Sequence, residues 1–326
     1  IGMDRKKTRA ESGEYAPRAP IQLPSSPIWG YALLALMFVF IIIGLSMVVF
    51  NSTTLSPLGG ECVAIVNVNG QIVADNVPGS IWAEGIAGSE HIAGLVKEAD
   101  ERDDVKAILV VINSPGGSVV GSKEIYRALK ESEKPKVAYL REMAASGGYE
   151  VAVGTDYIVS EPDALTGSIG ARATLSDMTG LFEKIGYNET TFKSGELKDI
   201  GNPARPMTEE EKEIMQEIVD EAYRDFEYTV VMERGDRLDT HAFYDRVTDA
   251  RILTGRQAYE IGLVDELGSK KDAIRVASEM AGKEETLDVC ELETYEPSLL
   301  ELLLMGAMDY VMPPQIQKER WYLEYR

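Results

Sequence analysis

The chain has 326 residues, 44% of them hydrophobic, enough to build one large domain or two small ones around a real core. Its formal net charge of −21 argues against nucleic acid as a partner, because phosphate binding needs clustered Lys and Arg. The two cysteines, Cys62 and Cys290, lack metal-ligand spacing, and the two histidines, His91 and His241, belong to no H-E-x-x-H, which argues against a zinc protease.

Residues 1–27 carry five basic side chains against three acidic ones, with Pro17, Pro20, Pro24 and Pro27, and read as a basic cytoplasmic arm. From Ile28 to Phe50 no residue is charged, and Trp29 and Tyr31 stand at the start, so 28–50 is expected to be a transmembrane anchor. A cleaved signal peptide would show a shorter apolar core and a small-x-small site, which Asn51-Ser52-Thr53-Thr54 does not supply. Positive charge before the span places the N-terminus in the cytoplasm and everything after it outside. A linker covers 51–60, a catalytic domain 61–290, and an apolar C-terminal segment and tail 291–326. In an oxidising compartment Cys62 and Cys290 can form a disulfide; two separate buried thiols are the other reading.

Past the linker, strand and helix signals alternate, as in a layered α/β fold. Cys62–Val68 and Gln71–Ala74 read as short strands around a turn at Asn69-Gly70. Ser89–Glu101 has helical spacing opened by a capping serine. The β-branched run Lys106–Ile112 reads as a strand buried on both faces, leading through Asn113-Ser114-Pro115-Gly116-Gly117-Ser118 into a helix over Val119–Glu131. Lys136–Leu140 is the next strand, Arg141–Ala145 a loop, and a helix begins near Ser146. Asp156–Ser160 and Thr166–Ala171 are further strands. A long helix over Thr208–Arg234 opens with a capping box, and Leu253–Val264 reads as a turn, a short helix and an exit.

Three stretches carry chemistry. The turn Ser114–Gly117 presents backbone amides at a helix start, which suits a developing oxyanion. Ala144-Ala145-Ser146-Gly147-Gly148 surrounds a serine with small residues; its bland reading is a Gly-Gly turn with a capping serine. Phe192–Gly201 holds Lys193 and, before Asp199, Lys198. A serine hydroxyl keeps its proton at neutral pH, and a lysine can take it only as the neutral amine, a form that burial favours.

These blocks, with Thr166-Gly167-Ser168-Ile169-Gly170, Lys193–Thr208 and Leu253–Ile274, resemble the signal peptide peptidase A (SppA) type of membrane-anchored serine protease over about residues 61 to 282. The resemblance implies an α/β fold of ClpP/crotonase-like repeated ββα units and a serine endopeptidase degrading cleaved signal peptides or similar hydrophobic peptides. It implies Ser146 as nucleophile, Lys198 as base, Ser168 as the hydroxyl orienting that lysine, and the amides of Gly117 and Gly147 as the oxyanion hole. It also implies a homo-oligomer and requires no metal or nucleotide cofactor. Lys193 is the competing lysine. Two departures, Glu150 after Tyr149 and Arg172 after Ala171, are expected to alter the substrate groove. The alternatives are a related protease acting on a membrane-protein partner, an inactive scaffold, and a crotonase-type acyl-CoA enzyme.

Overall fold

The computed structural model describes residues 60–75, 86–292 and 324–325, together with 31 and 36–39. The chain divides into two units, Ile1–Leu58 and Gly59–Arg326. In the first, residues 31 and 36–39 are helical; the rest of the anchor read at 28–50 lies outside the described residues. Among the described residues no helix is long and apolar enough to cross a membrane. The basic arm, the linker up to residue 59 and nearly all of the tail after residue 292 also lie outside them.

The second unit is built on strands β1 (Cys62–Asn69), β2 (Gln71–Val73), β3 (Ile86–Gly88), β4 (Val105–Ser114), β5 (Gly117–Ser118), β6 (Lys136–Ala145), β7 (Tyr157–Ser160), β8 (Leu165–Gly167), β9 (Ile252–Thr254), β10 (Glu266–Leu267), β11 (Asp288–Glu291) and β12 (Glu324–Tyr325). Six of these run in the order β10-β7-β6-β4-β1-β11, all parallel, with β8 joined to the end of β6 and β9 antiparallel to β8. A second, small sheet has the order β12-β5-β2-β3.

Side chains alternate across a strand, so the apolar runs of β1, β4 and β6 feed two faces. Val63, Leu109, Val111, Val137 and Val159 meet Ala273, Val276 and Ala277 of the Lys270–Met280 helix. Ala64, Val66, Ile108, Val110, Ile112 and Leu140 belong to the other cluster, with Ile92, Val96, Ile125, Leu129 and Tyr149 from the helices Ser89–Glu101, Val119–Glu131 and Gly147–Val153. The sheet is therefore covered on both faces, and the fold is a mixed α/β layered one.

Several expectations need correction. β1 and β2 do not form one sheet: Gly70, at φ 80°, donates its amide to Asn113, and the chain passes from the large sheet to the small one. The cap of the Ser89–Glu101 helix is Gly88, while the Ser89 hydroxyl donates to Glu124 across to the next helix. Residues 141–145 are strand, not loop, because Met143, Ala144 and Ala145 pair with Leu165, Thr166 and Gly167. The 166–171 strand stops at Gly167, where Ser168 takes φ 51°. Cys62 and Cys290 are bonded to each other, tying β1 to β11.

Candidate active site

Three of the sequence blocks, at 113–118, 144–149 and 166–170, meet at the C-terminal ends of β4 and β6. Ser114 lies opposite Ala144, and Ala145 opposite Gly167, so the three turns that follow these strands emerge side by side. The Ser114 hydroxyl donates to the Gly70 carbonyl and accepts from the Gly116 amide, fixing the first turn. The amide of Ser146 donates to the Gly167 carbonyl at 2.8 Å.

Ser146 stands at the N-cap position of the Gly147–Val153 helix with φ 56° and ψ −124°, a conformation an L-residue adopts only where its surroundings impose it. Its carbonyl accepts from the amides of Tyr149 and Glu150, and the Tyr149 hydroxyl donates to the Leu263 carbonyl at 2.7 Å, anchoring the helix. The Ser146 hydroxyl makes no cap bond and is buried with no hydrogen-bond partner. The bland reading of Ser146 as a capping serine therefore does not hold. Ser118 shows the contrast: its hydroxyl accepts from the Gly121 amide and does cap its helix.

Gly147, the residue after Ser146, comes close to Gly117. A Cβ built on Gly147 would lie 3.4 Å from the Gly117 amide nitrogen and 2.2 Å from the Ser122 hydroxyl oxygen, while one on Gly117 would meet the Ile72 carbonyl at 2.1 Å. Both positions thus require glycine for close approach, which brings the Gly117 amide against Gly147, the residue after Ser146. Ser168 is buried, directly after Gly167, and its amide donates to the Arg251 carbonyl.

Lys198 is the exception. It lies on the 3-10 turn Glu196–Asp199, is exposed, and its amine has no hydrogen bond or ion pair among the described residues. The expected burial is absent in the single chain, where no residue from 171 to 200 is buried. Lys193, by contrast, is committed: its ammonium lies 2.6 Å from the Asp199 carboxylate and 2.7 Å from the Glu196 carbonyl. Asp199 also receives the Arg205 guanidinium, and these two cations hold its carboxyl far below the usual range, Arg205 first. Arg205 in turn grips Glu211, which completes the capping box of the Glu209–Arg234 helix with Thr208.

One of the two departures falls differently from expectation. Glu150 does not face a groove; it is buried inside the helical layer. Arg172 is exposed. Neither histidine bonds to Ser146, whose hydroxyl is without a partner. Arg205 was invisible as a site residue in sequence, although its six-residue spacing to both Asp199 and Glu211 was there to be seen.

The family model described as peptidase family S49 matches residues 128–284, and one described as Clp protease matches residues 87–160. A candidate protease of Methanocaldococcus jannaschii is 37% identical over 77% of this chain and 82% of its own length. A candidate signal peptide peptidase SppA of Enterococcus faecium is 35% identical over 64% of this chain and 60% of its own. Among solved structures, a membrane-bound stomatin-specific protease aligns over 72% of this chain and 99% of its own with a TM-score of 0.45 and 15% identity.

Proposed function

Because the chain belongs to peptidase family S49 and is a serine peptidase with a ClpP-like α/β fold, we propose that Ser146 and Lys198 form its catalytic dyad. The observation that carries this reading is the idle, buried Ser146 hydroxyl held in a strained conformation, with Gly147 next in the chain and Gly117 packed against Gly147. Lys198 is favoured over Lys193 because Lys193 is held in an ion pair with Asp199, whereas the Lys198 amine is uncommitted.

In the mechanism, the Ser146 oxygen attacks the scissile carbonyl while its proton passes to the neutral Lys198 amine. The tetrahedral oxyanion accepts hydrogen bonds from Gly117 and Gly147. Its collapse expels the amine product, which takes the proton back from Lys198, and water then hydrolyses the acyl-enzyme by the same route. Ser168, next to the strand end that binds the Ser146 amide, would orient the lysine.

The substrate is a peptide bound as an added strand. In support, β5 carries Gly117, and β12 pairs antiparallel with it, Tyr325 opposite Gly117. Signal peptide remnants and similar hydrophobic peptides are the proposed class, a reading supported by the name of the Enterococcus relative. We further propose that residues 28–50 anchor the chain with its catalytic domain outside the cytoplasm, which the Cys62–Cys290 bond suits. A homo-oligomer would cover the 171–200 arm, where Leu181, Ile185, Tyr187 and Phe192 are exposed, and would desolvate Lys198.

The test is hydrolysis of a fluorogenic peptide by the full chain. Ser146→Ala and Lys198→Ala should each lose at least about 1,000-fold in kcat while staying folded, and Lys193→Ala should lose less than about tenfold. Near-full activity in Lys198→Ala would remove it as the base, and activity in Ser146→Ala would remove the nucleophile.

A further inference from the structure

The Gly147–Val153 helix has only seven residues, so what holds Ser146 in place is what this helix packs on. It packs against the helices Val119–Glu131 and Glu209–Arg234. Glycines set its approach to the first: Gly147 abuts Ser122, and a Cβ on Gly154 would lie 3.1 Å from the Tyr126 ring. Glu150 is three residues after Gly147 and four before Gly154, which puts it on the same helical face, in the seam between those contacts.

Glu150 is 1% exposed, and its Oε2 has no hydrogen-bond partner. The charged groups that act on it are Lys123 and Arg127 from the Val119–Glu131 helix and Asp225 from the Glu209–Arg234 helix; Tyr126 feels it in return. The strands beneath contribute none. Lys123 already binds Asp225 at 2.9 Å, bridging the two helices. Glu150 makes no ion pair among the described residues: Asp225 engages Lys123, and Arg127 is exposed at the surface. Burial, the largest cause, pushes the acid up to about 8, so it is neutral at neutral pH.

We propose that Glu150 is a positioning residue that, as the neutral acid, seats the nucleophile helix on the Val119–Glu131 helix, and that its ionisation unseats Ser146 and Gly147. This rests on the reading of Ser146 as nucleophile. Once ionised, the carboxylate must draw in water or a cation, and the seam must open to admit it. Opening the seam first relaxes the Gly147–Ser122 contact. The movement reaches Ser146 directly, because the Glu150 amide is bonded to the Ser146 carbonyl at 3.0 Å. A residue at φ 56° has no intrinsic reason to keep that conformation when its surroundings loosen.

The experiment compares the full chain with Glu150→Gln, which keeps the shape and cannot ionise. It follows kcat and KM for a fluorogenic peptide from pH 5.5 to 10, the rate of labelling by a serine-reactive probe, and thermal unfolding. The ratio of wild-type to variant kcat, and of their labelling rates, should fall severalfold above about pH 8, the value to which burial raises this acid, while the pH dependence of the Lys198 base is common to both. The folded-state acid is raised above its ordinary value of 4.5, so the folded protein keeps a proton that the unfolded chain gives up. The variant should therefore melt higher, by a margin that grows from pH 4.5 to about 8 and is constant beyond. The proposal is overturned by a ratio that does not change with pH, or by a variant that melts higher yet is inactive at neutral pH. Turnover surviving in Ser146→Ala would instead remove the nucleophile reading on which it rests.

Discussion

Gly147 and Ser122 are packed so closely that a Cβ on residue 147 would lie 2.2 Å from the Ser122 hydroxyl oxygen. The hydroxyl belongs to a fully buried residue and has no hydrogen-bond partner, so it fills space without a bond of its own. Gly147→Ala should displace the amide proposed for the oxyanion and lower kcat by at least about 100-fold. Overpacking should also cost about 1–3 kcal/mol of stability. Adding Ser122→Ala removes the clashing oxygen and should recover most of the stability, because deleting an unbonded buried hydroxyl costs little. A double-mutant cycle by chemical denaturation measures this, and simple additivity would show that the contact is not what requires glycine.

Arg205 joins Asp199, beside Lys198, to Glu211 at the start of the long helix. Arg205→Lys loses the fork that binds both carboxylates and should reduce kcat about tenfold or more with little change in KM, since the turn carrying Lys198 would lose its mount. Both carboxyls are held below their ordinary values chiefly by Arg205, so their contribution to stability is complete above those values and disappears as pH falls through the depressed ones. The difference in Tm between wild type and Arg205→Ala should thus be full near pH 6 and shrink toward pH 2. A pH-independent difference would mean the guanidinium acts by packing alone.

The Cys62–Cys290 bond closes a sequence separation of 228 residues at the start of β1, whereas Ser146 and the amides lie at the far ends of β4 and β6. Replacing both cysteines by serine should lower stability by about 2–5 kcal/mol and leave kcat at 25 °C within about twofold. Calorimetry of the two proteins, with a peptide assay beside it, checks both halves. A large loss of kcat would show that the sheet edge and the site are coupled.

The elements whose signals are local could be read from the chain by itself. The helices Val119–Glu131 and Glu209–Arg234 were legible, the second from its Thr208–Glu211 box, an interaction between residues three apart. The β-branched run Lys106–Ile112, which lies within the strand Val105–Ser114, was equally legible, and so were Ser146, Gly117 and Gly147 as neighbours of helix starts.

What the chain alone could not decide depends on partners far away in sequence. Residues 141–145 are strand only because 165–167 come to lie beside them, and β1 and β2 separate because Gly70 finds Asn113. Position along the chain does not say whether a serine at a helix start caps it; Ser118 does and Ser146 does not, because the strained backbone of Ser146 and its bond to Gly167 turn the hydroxyl elsewhere. Nor does it say that Asp199 takes Lys193 and leaves Lys198 free, or that Cys62 reaches Cys290. Glu150 is the sharpest case. By composition it is an acidic residue expected at a surface, and only the meeting of three helices makes it a buried, neutral one, since protonation depends on the dielectric and charges around a group and those are set by tertiary packing.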